Sequence, residues 1–144
     1  MKSLGRLLAL LALLSLLATA GAAAAPFKTG LYVGMTSQHK PFSFYVKTTR
    51  ECGRRAGLCL YTKTQAYISE PCTNGTETNA YADPGPLIVG KSGIVKETLN
   101  LFSTVVIYIK LGHNGTASGR FTATDTEEGL SCSSGTVTFT AKRH

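Results

Sequence analysis

The chain has 144 residues, with 15 basic and 8 acidic side chains, a formal charge of +7, and four cysteines. That length supports one domain and excludes a multidomain enzyme. The first stretch reads as an address rather than as part of the fold. Lys2 and Arg6 open it, a Leu/Ala run follows over residues 7–17, and Ala23-Ala24-Ala25 before Pro26 supplies a small-residue cleavage site. This is the layout of a secretory signal-peptide helix. It predicts a signal peptide over 1–25 and a single folded domain over 26–144, with cleavage after Ala25. The remaining 119 residues would carry 13 basic and 8 acidic groups, net +5. No cysteine follows the apolar run, which argues against a lipoprotein. Retention as an uncleaved anchor is the alternative, since residues 7–25 are nearly long enough to span a bilayer. The expected location is secreted or extracytoplasmic, with membrane contact only through this segment before cleavage.

Beyond Pro26 no segment has helical periodicity over ten residues or more; alternation with period two takes its place. Phe42, Phe44 and Val46 share one face, and Ser43, Tyr45 and Lys47 the other. Leu58, Leu60, Ala66 and Ile68 keep one parity through a long run that includes Thr62 and Thr64. Val105, Ile107, Ile109 and Leu111 alternate with Val106, Tyr108 and Lys110. Phe121 and Ala123 alternate with Arg120, Thr122 and Thr124. In the last strand Val137, Phe139 and Ala141 face inward against Thr136, Thr138, Thr140 and Lys142. Valine, threonine, tyrosine and phenylalanine fit a pleated, half-buried surface.

Turn residues punctuate these runs. Asn114-Gly115 is a hairpin signal, because both residues accept positive φ. Asn74-Gly75 and the segment 125–129 mark two further turns, and Asp83-Pro84-Gly85-Pro86 must be a loop, since its prolines donate no ladder bonds. Leu130 and Cys132 have the opposite parity to Val137 and Phe139, which predicts a β-bulge between Ser133 and Gly135. The expected fold is all-β, with about seven to nine antiparallel strands that fit a two-sheet β-sandwich, immunoglobulin-like or jelly-roll-like, or a small barrel, the sandwich being preferred. Its Thr-rich strand faces would meet water.

Four cysteines in an exported chain predict two disulfides. Three pairings are open. Cys52 and Cys59 flank a Gly-containing segment able to turn back on itself, and Cys72 precedes a turn while Cys132 lies near the end. That geometry favours Cys52–Cys59 with Cys72–Cys132.

Catalytic constellations are sparse. No G-x-S-x-G appears, and His39, His113 and His144 fall in turns or at the terminus with no metal or triad spacing. Asp125, Glu127 and Glu128 crowd one turn but lack the spacing of a calcium loop. Asn74-Gly-Thr and Asn114-Gly-Thr match the glycosylation acceptor pattern, although turn formation suffices to explain both. Basic residues are spread from Lys28 to Arg143 without a nucleic-acid motif, so an anionic surface outside the membrane is the more natural partner than nucleic acid. Arg54 and Arg55 would project from a loop closed by Cys52–Cys59, as a trypsin-like protease inhibitor requires. Tyr45, Tyr61, Tyr67 and Tyr108 face outward and would form a platform for stacking sugars.

The stretch Gly34-Met-Thr-Ser-Gln38, followed by Pro41-Phe-Ser-Phe44, resembles the opening of small exported β-sandwich proteins of high-GC actinobacteria. The runs from Gly115 to Thr122 and from Cys132 to Arg143 resemble their closing hairpin. The middle, including Cys52 to Cys59, is unmatched. The resemblance implies an extracytoplasmic β-sandwich with no assigned activity, and also leans toward pairing Cys72 with Cys132. The expectation is therefore a non-enzymatic exported protein, binding or structural, with no cofactor or metal. Its partner would be an anionic cell-wall polymer, a polysaccharide or a secreted protease, the last two through carbohydrate-binding and protease-inhibitor readings respectively.

Overall fold

In the computed structural model of the chain, residues 27–52, 57–82, 85–100, 103–127 and 129–144 are described. They form ten strands: β1 (Gly30–Thr36), β2 (Pro41–Thr49), β3 (Gly57–Thr64), β4 (Ala66–Pro71), β5 (Glu77–Ala82), β6 (Leu87–Ile88), β7 (Ile94–Asn100), β8 (Thr104–Leu111), β9 (Thr116–Glu127) and β10 (Leu130–Arg143). One 3-10 turn, Arg50–Cys52, follows β2, and no α-helix occurs among the described residues. The signal segment lies outside them.

The all-β expectation holds, but the arrangement is not a pair of facing sheets. Eight strands make one antiparallel sheet in the order β6-β3-β2-β1-β10-β9-β8-β7, and β4 and β5 form a separate hairpin. The sheet's two edge strands, β6 and β7, are consecutive in the chain and joined by a turn in which Gly90 donates to the Ile94 carbonyl at 3.0 Å. The sheet therefore rolls almost into a closed barrel. Alternation fixes that each strand buries one face; it does not say whether that face meets a second sheet or the far wall of its own.

The inward rows fill the barrel. Phe42 packs edge-on against Phe139 at 4.6 Å and Phe121 at 5.8 Å, while Phe121 and Phe139 stack at 5.0 Å. Tyr32 and Phe44 stack at 5.2 Å. The small residues Gly34, Ala117, Gly119 and Ala141 line the wall of β1, β10 and β9, where Gly34 pairs with Ala141 and Gly119 with Phe139. An eight-stranded barrel leaves an interior just wide enough for side chains. Here the void among Phe42, Phe44, Leu60, Ile107 and Phe121 is about 20 Å³, space for roughly one water. No interior ligand chamber exists among the described residues.

The turns at Gly75 and Gly115 are in place, both with positive φ. The turn expected over 125–129 is shorter: Asp125 to Glu127 continue β9, paired with β10, and the reversal falls at Gly129, also at positive φ. Thr76 and Thr116 each donate main-chain and hydroxyl hydrogen bonds to the Oδ1 of Asn74 and Asn114. Both Asn-Gly-Thr triplets are thus complete as turns. The bulge also falls where parity breaks, between Ser133 and Thr136. Ser134 Oγ accepts from the Ala123 N–H at 2.9 Å, replacing the ladder partner that the extra residue removes.

Three expectations need correction. The run from Leu58 to Ile68 is not continuous: it breaks at Gln65, leaving β3 in the barrel and β4 in the hairpin. A corner that preserves parity leaves no mark on an alternation pattern. Tyr32, in β1, belongs to a strand that alternation did not single out, because Gly30 and Gly34 interrupt its apolar row. The terminus, where a last residue such as His144 is expected to fray, is held: the His144 N–H donates to the Leu31 carbonyl at 2.8 Å, at the end of the β1–β10 ladder.

Both favoured disulfides are present, Cys52–Cys59 and Cys72–Cys132. The second ties the hairpin to β10 across 60 residues of sequence, against 7 for the first. Loop-closure entropy puts their contributions at about 4 and about 2.5 kcal/mol. Chemical denaturation of the Cys72→Ala/Cys132→Ala and Cys52→Ala/Cys59→Ala variants should show the larger loss in the former. Gly119 gives a sharper test of the packing across neighbouring strands. A Cβ there would meet the Tyr108 carbonyl and, at 2.6 Å, the Phe139 ring. Gly119→Ala is expected to destabilise by about 1–3 kcal/mol, whereas Ala at the open Gly85 should change little.

Candidate functional site

The predicted tyrosine platform separates in three dimensions. Tyr45 and Tyr61 face each other across β2 and β3, half-buried. Lys47 Nζ sits 4.6 Å from the Tyr45 ring centre and 5.7 Å from that of Tyr61, and Lys63 Nζ is 5.6 Å from Tyr45. Tyr108 is on β8, with β1, β10 and β9 between it and β2, and its ring carries Arg120 at 4.9 Å. Tyr67 pairs instead with Tyr81 on the hairpin, edge-on at 6.3 Å, both about half exposed. Two separate aromatic pairs thus replace one platform. Arg54 and Arg55 lie outside the described residues, although the disulfide that would close their loop is formed. The three histidines occupy separate turns or the terminus, and His113 stacks on Phe27 at 4.8 Å. Among the described residues no three His, Cys, Asp or Glu side chains gather as metal ligands.

Six basic side chains gather at one end of the barrel. At the end where β1 begins and β10 finishes stand Lys28, Lys91, Lys110, Lys142, Arg143 and His144, all exposed. Lys28 and Arg143 both come within 3.4 Å of the position a Cβ would take on Gly115. The turn carrying Lys91 is fixed beside them because Leu111 donates to the Gly93 carbonyl at 2.9 Å. Tyr32 anchors this end: its buried hydroxyl donates to the Lys28 carbonyl at 2.8 Å. Burial pushes the Tyr32 phenol up, against a smaller downward pull from Arg143.

Among the described acids, Glu97 lies mid-strand on β7, while Glu70, Glu77 and Asp125 lie toward the other end, under or beside the hairpin, where Lys40 and Lys63 also stand. Glu70 is the anomaly. It is fully buried, yet neither carboxyl oxygen has a hydrogen-bond partner. Burial raises its pKa, and the neighbouring Asp125 raises it further. Parity explains both positions. Glu70 continues the inward row Ala66–Ile68, and Asp125 continues Phe121–Ala123. Both rows were legible in sequence and stop being apolar where the hairpin crosses the barrel mouth. A cleft of about 190 Å³ opens there, walled by Thr78, Ala80, Leu99, Ser103, Val105 and Asp125.

No family model, curated protein or solved structure matches the chain.

A carboxyl whose folded pKa is raised favours the folded state only while protonated. Stability should therefore be retained below the ordinary Glu pKa and fall as pH rises through the elevated folded value. Glu70→Gln keeps the shape and removes the titration. Thermal unfolding should show it more stable than the parent by about 1–3 kcal/mol at pH 8, with the difference vanishing near pH 4. A constant difference across that range would remove Glu70 as the cause.

Proposed function

We infer that the chain is an exported, non-catalytic binding protein of the cell envelope or extracellular space, which holds an anionic polymer against the basic end of the barrel. The observation carrying this reading is the group Lys28, Lys91, Lys110, Lys142 and Arg143, gathered at one end with no ion pair among the described residues. Unneutralised like charges repel one another and are relieved by a polyanion. A packed interior supports surface binding over enclosure of a small ligand. Two disulfides suit an oxidising compartment.

A second reading, polysaccharide binding, draws on the exposed Tyr67–Tyr81 pair and on Tyr45–Tyr61 with their lysines. Aromatic faces bury sugar rings at little conformational cost. The formed Cys52–Cys59 bridge keeps a protease-directed loop carrying Arg54 and Arg55 as a third reading, which a trypsin inhibition assay decides.

Titration of the domain 26–144 with long-chain polyphosphate and with neutral dextran separates the first two readings. Binding to polyphosphate alone, weakening steeply between low and physiological salt, is expected. Lys110→Glu/Lys142→Glu should weaken it by about tenfold or more, while Lys40→Glu near the opposite end should change it little. Salt-insensitive binding, or equal loss in both variants, would reject the basic end as the site.

A further inference from the structure

The hairpin has two edges, and they are finished differently. The β4 edge is occupied. Gln38 lies against Ser69 with its side-chain amide, donating from Nε2 to the Ser69 carbonyl at 3.0 Å and accepting the Ser69 N–H at Oε1 at 2.9 Å. Just beyond, Thr73 donates to the Ser131 carbonyl at 2.9 Å, and Cys72 bridges to Cys132. The β5 edge has no such cover. Among the described residues its only strand partner is β4, and 78–81 make no main-chain hydrogen bond to any other segment.

That uncovered edge coincides with the cleft at the barrel mouth. Four consecutive residues, Thr78, Asn79, Ala80 and Tyr81, wall it on one side. Neighbouring residues in a strand point to opposite faces, so a groove touching four in succession runs along the backbone and meets its free N–H and C=O groups. The facing wall is apolar at Leu99 and Val105 and ends at Asp125. Glu70 sits behind it, directly across the hairpin from Thr78 on the same inward face. Thr78 and Asp125 thus bracket a fully buried carboxyl with both oxygens unanswered.

We propose that this cleft binds an extended peptide as a third strand on the β5 edge, with one Lys or Arg side chain inserted toward Asp125 and Glu70. Each part of the cleft answers one part of that ligand. The open edge supplies main-chain pairing, which is sequence-tolerant. Leu99, Val105 and Ala80 accept the aliphatic stem of the basic side chain. The two carboxyls supply the counter-charge and choose the cation. The cleft's volume is that of a single long side chain and is small for a drug-sized molecule. A free edge is also a hazard for uncontrolled pairing, and a carboxyl pair at its side restricts partners to basic segments. This site is independent of the basic end and takes a ligand of opposite charge.

The test uses the domain 26–144 and two labelled octapeptides of alternating threonine and valine, one with a central lysine and the other with glutamine there. At pH 7.5 fluorescence anisotropy should show the lysine peptide binding at least tenfold more tightly. Hydrogen exchange should slow at the edge-facing amides of Asn79 and Tyr81, and not along the β6–β7 seam. Asp125→Asn and Glu70→Gln, each checked for folding by thermal melt, should bring the two peptides to equal affinity. Equal affinity in the parent protein, or binding without protection of β5, overturns the proposal. So does full protection by calcium chloride or by N-acetyl-lysine amide alone, which would make the cleft a simple cation site.

Discussion

One sheet has to bury its own inner face, and the aromatic cluster of Phe42, Phe44, Phe121 and Phe139 is what it closes around. With eight strands the interior takes side chains and little else, so large rings on β2, β9 and β10 must be matched by missing bulk elsewhere. Gly34, Ala117, Gly119 and Ala141 provide it on the wall of β1, β10 and β9. The Phe139 ring occupies the space over Gly119 that a Cβ would claim. Closure and packing are therefore one condition. Everything functional is pushed outward: to the strand faces, to the two ends, and to the hairpin left outside the sheet.

What alternation specifies is local, and the local features came through. The bulge at Ser133–Thr136 was legible because an odd insertion reverses parity, and the turns at Asn74 and Asn114 were legible because Asn-Gly tolerates φ values that other pairs resist. Cysteine placement favoured the observed pairs. Sheet closure was not legible, since Phe121 has the same pattern whether its ring meets a second sheet or the far side of a barrel. The separation of β4 from β3 was hidden for a related reason: Ala66 and Ile68 keep the parity of Leu58 and Leu60 across the corner at Gln65. The tyrosines were placed on the correct outer faces but not around the circumference, so Tyr45 and Tyr108 looked like neighbours while three strands stand between them.

Glu70 and Asp125 show how far the same reasoning extends. Each lies two residues past the last apolar member of an inward row, and the row predicts an inward side chain whatever its chemistry. Burying a carboxyl without a partner is expensive, so Glu70 stands out as the one ordinarily charged side chain in the buried interior of the described residues. Both positions also lie beside the Cys72–Cys132 bridge: Asp125 pairs with Cys132, and Glu70 precedes Cys72 by two residues. The covalent tie fixes the hairpin to β10 close to the buried, unpartnered carboxyl.

The two ends of the barrel then have complementary character for one mechanical reason. Strand ends are where inward rows run out and where turns must expose main chain, so they tolerate charge that the middle of the barrel cannot. At the β1 end the cations stand in exposed turns and on the last residues of β10, fully hydrated, and their electrostatic effect is long-ranged and weakened by salt. At the hairpin end Glu70 lies under a strand pair, out of water, with the half-buried Asp125 beside it, and a buried carboxyl acts at short range and is little screened by salt. A hydrated array attracts extended polyanions without regard to detail, whereas a partly desolvated pair beside an unpaired strand edge discriminates one side chain from another. On the two functions proposed above, retention and recognition would be separated by the depth at which the fold buries its charges.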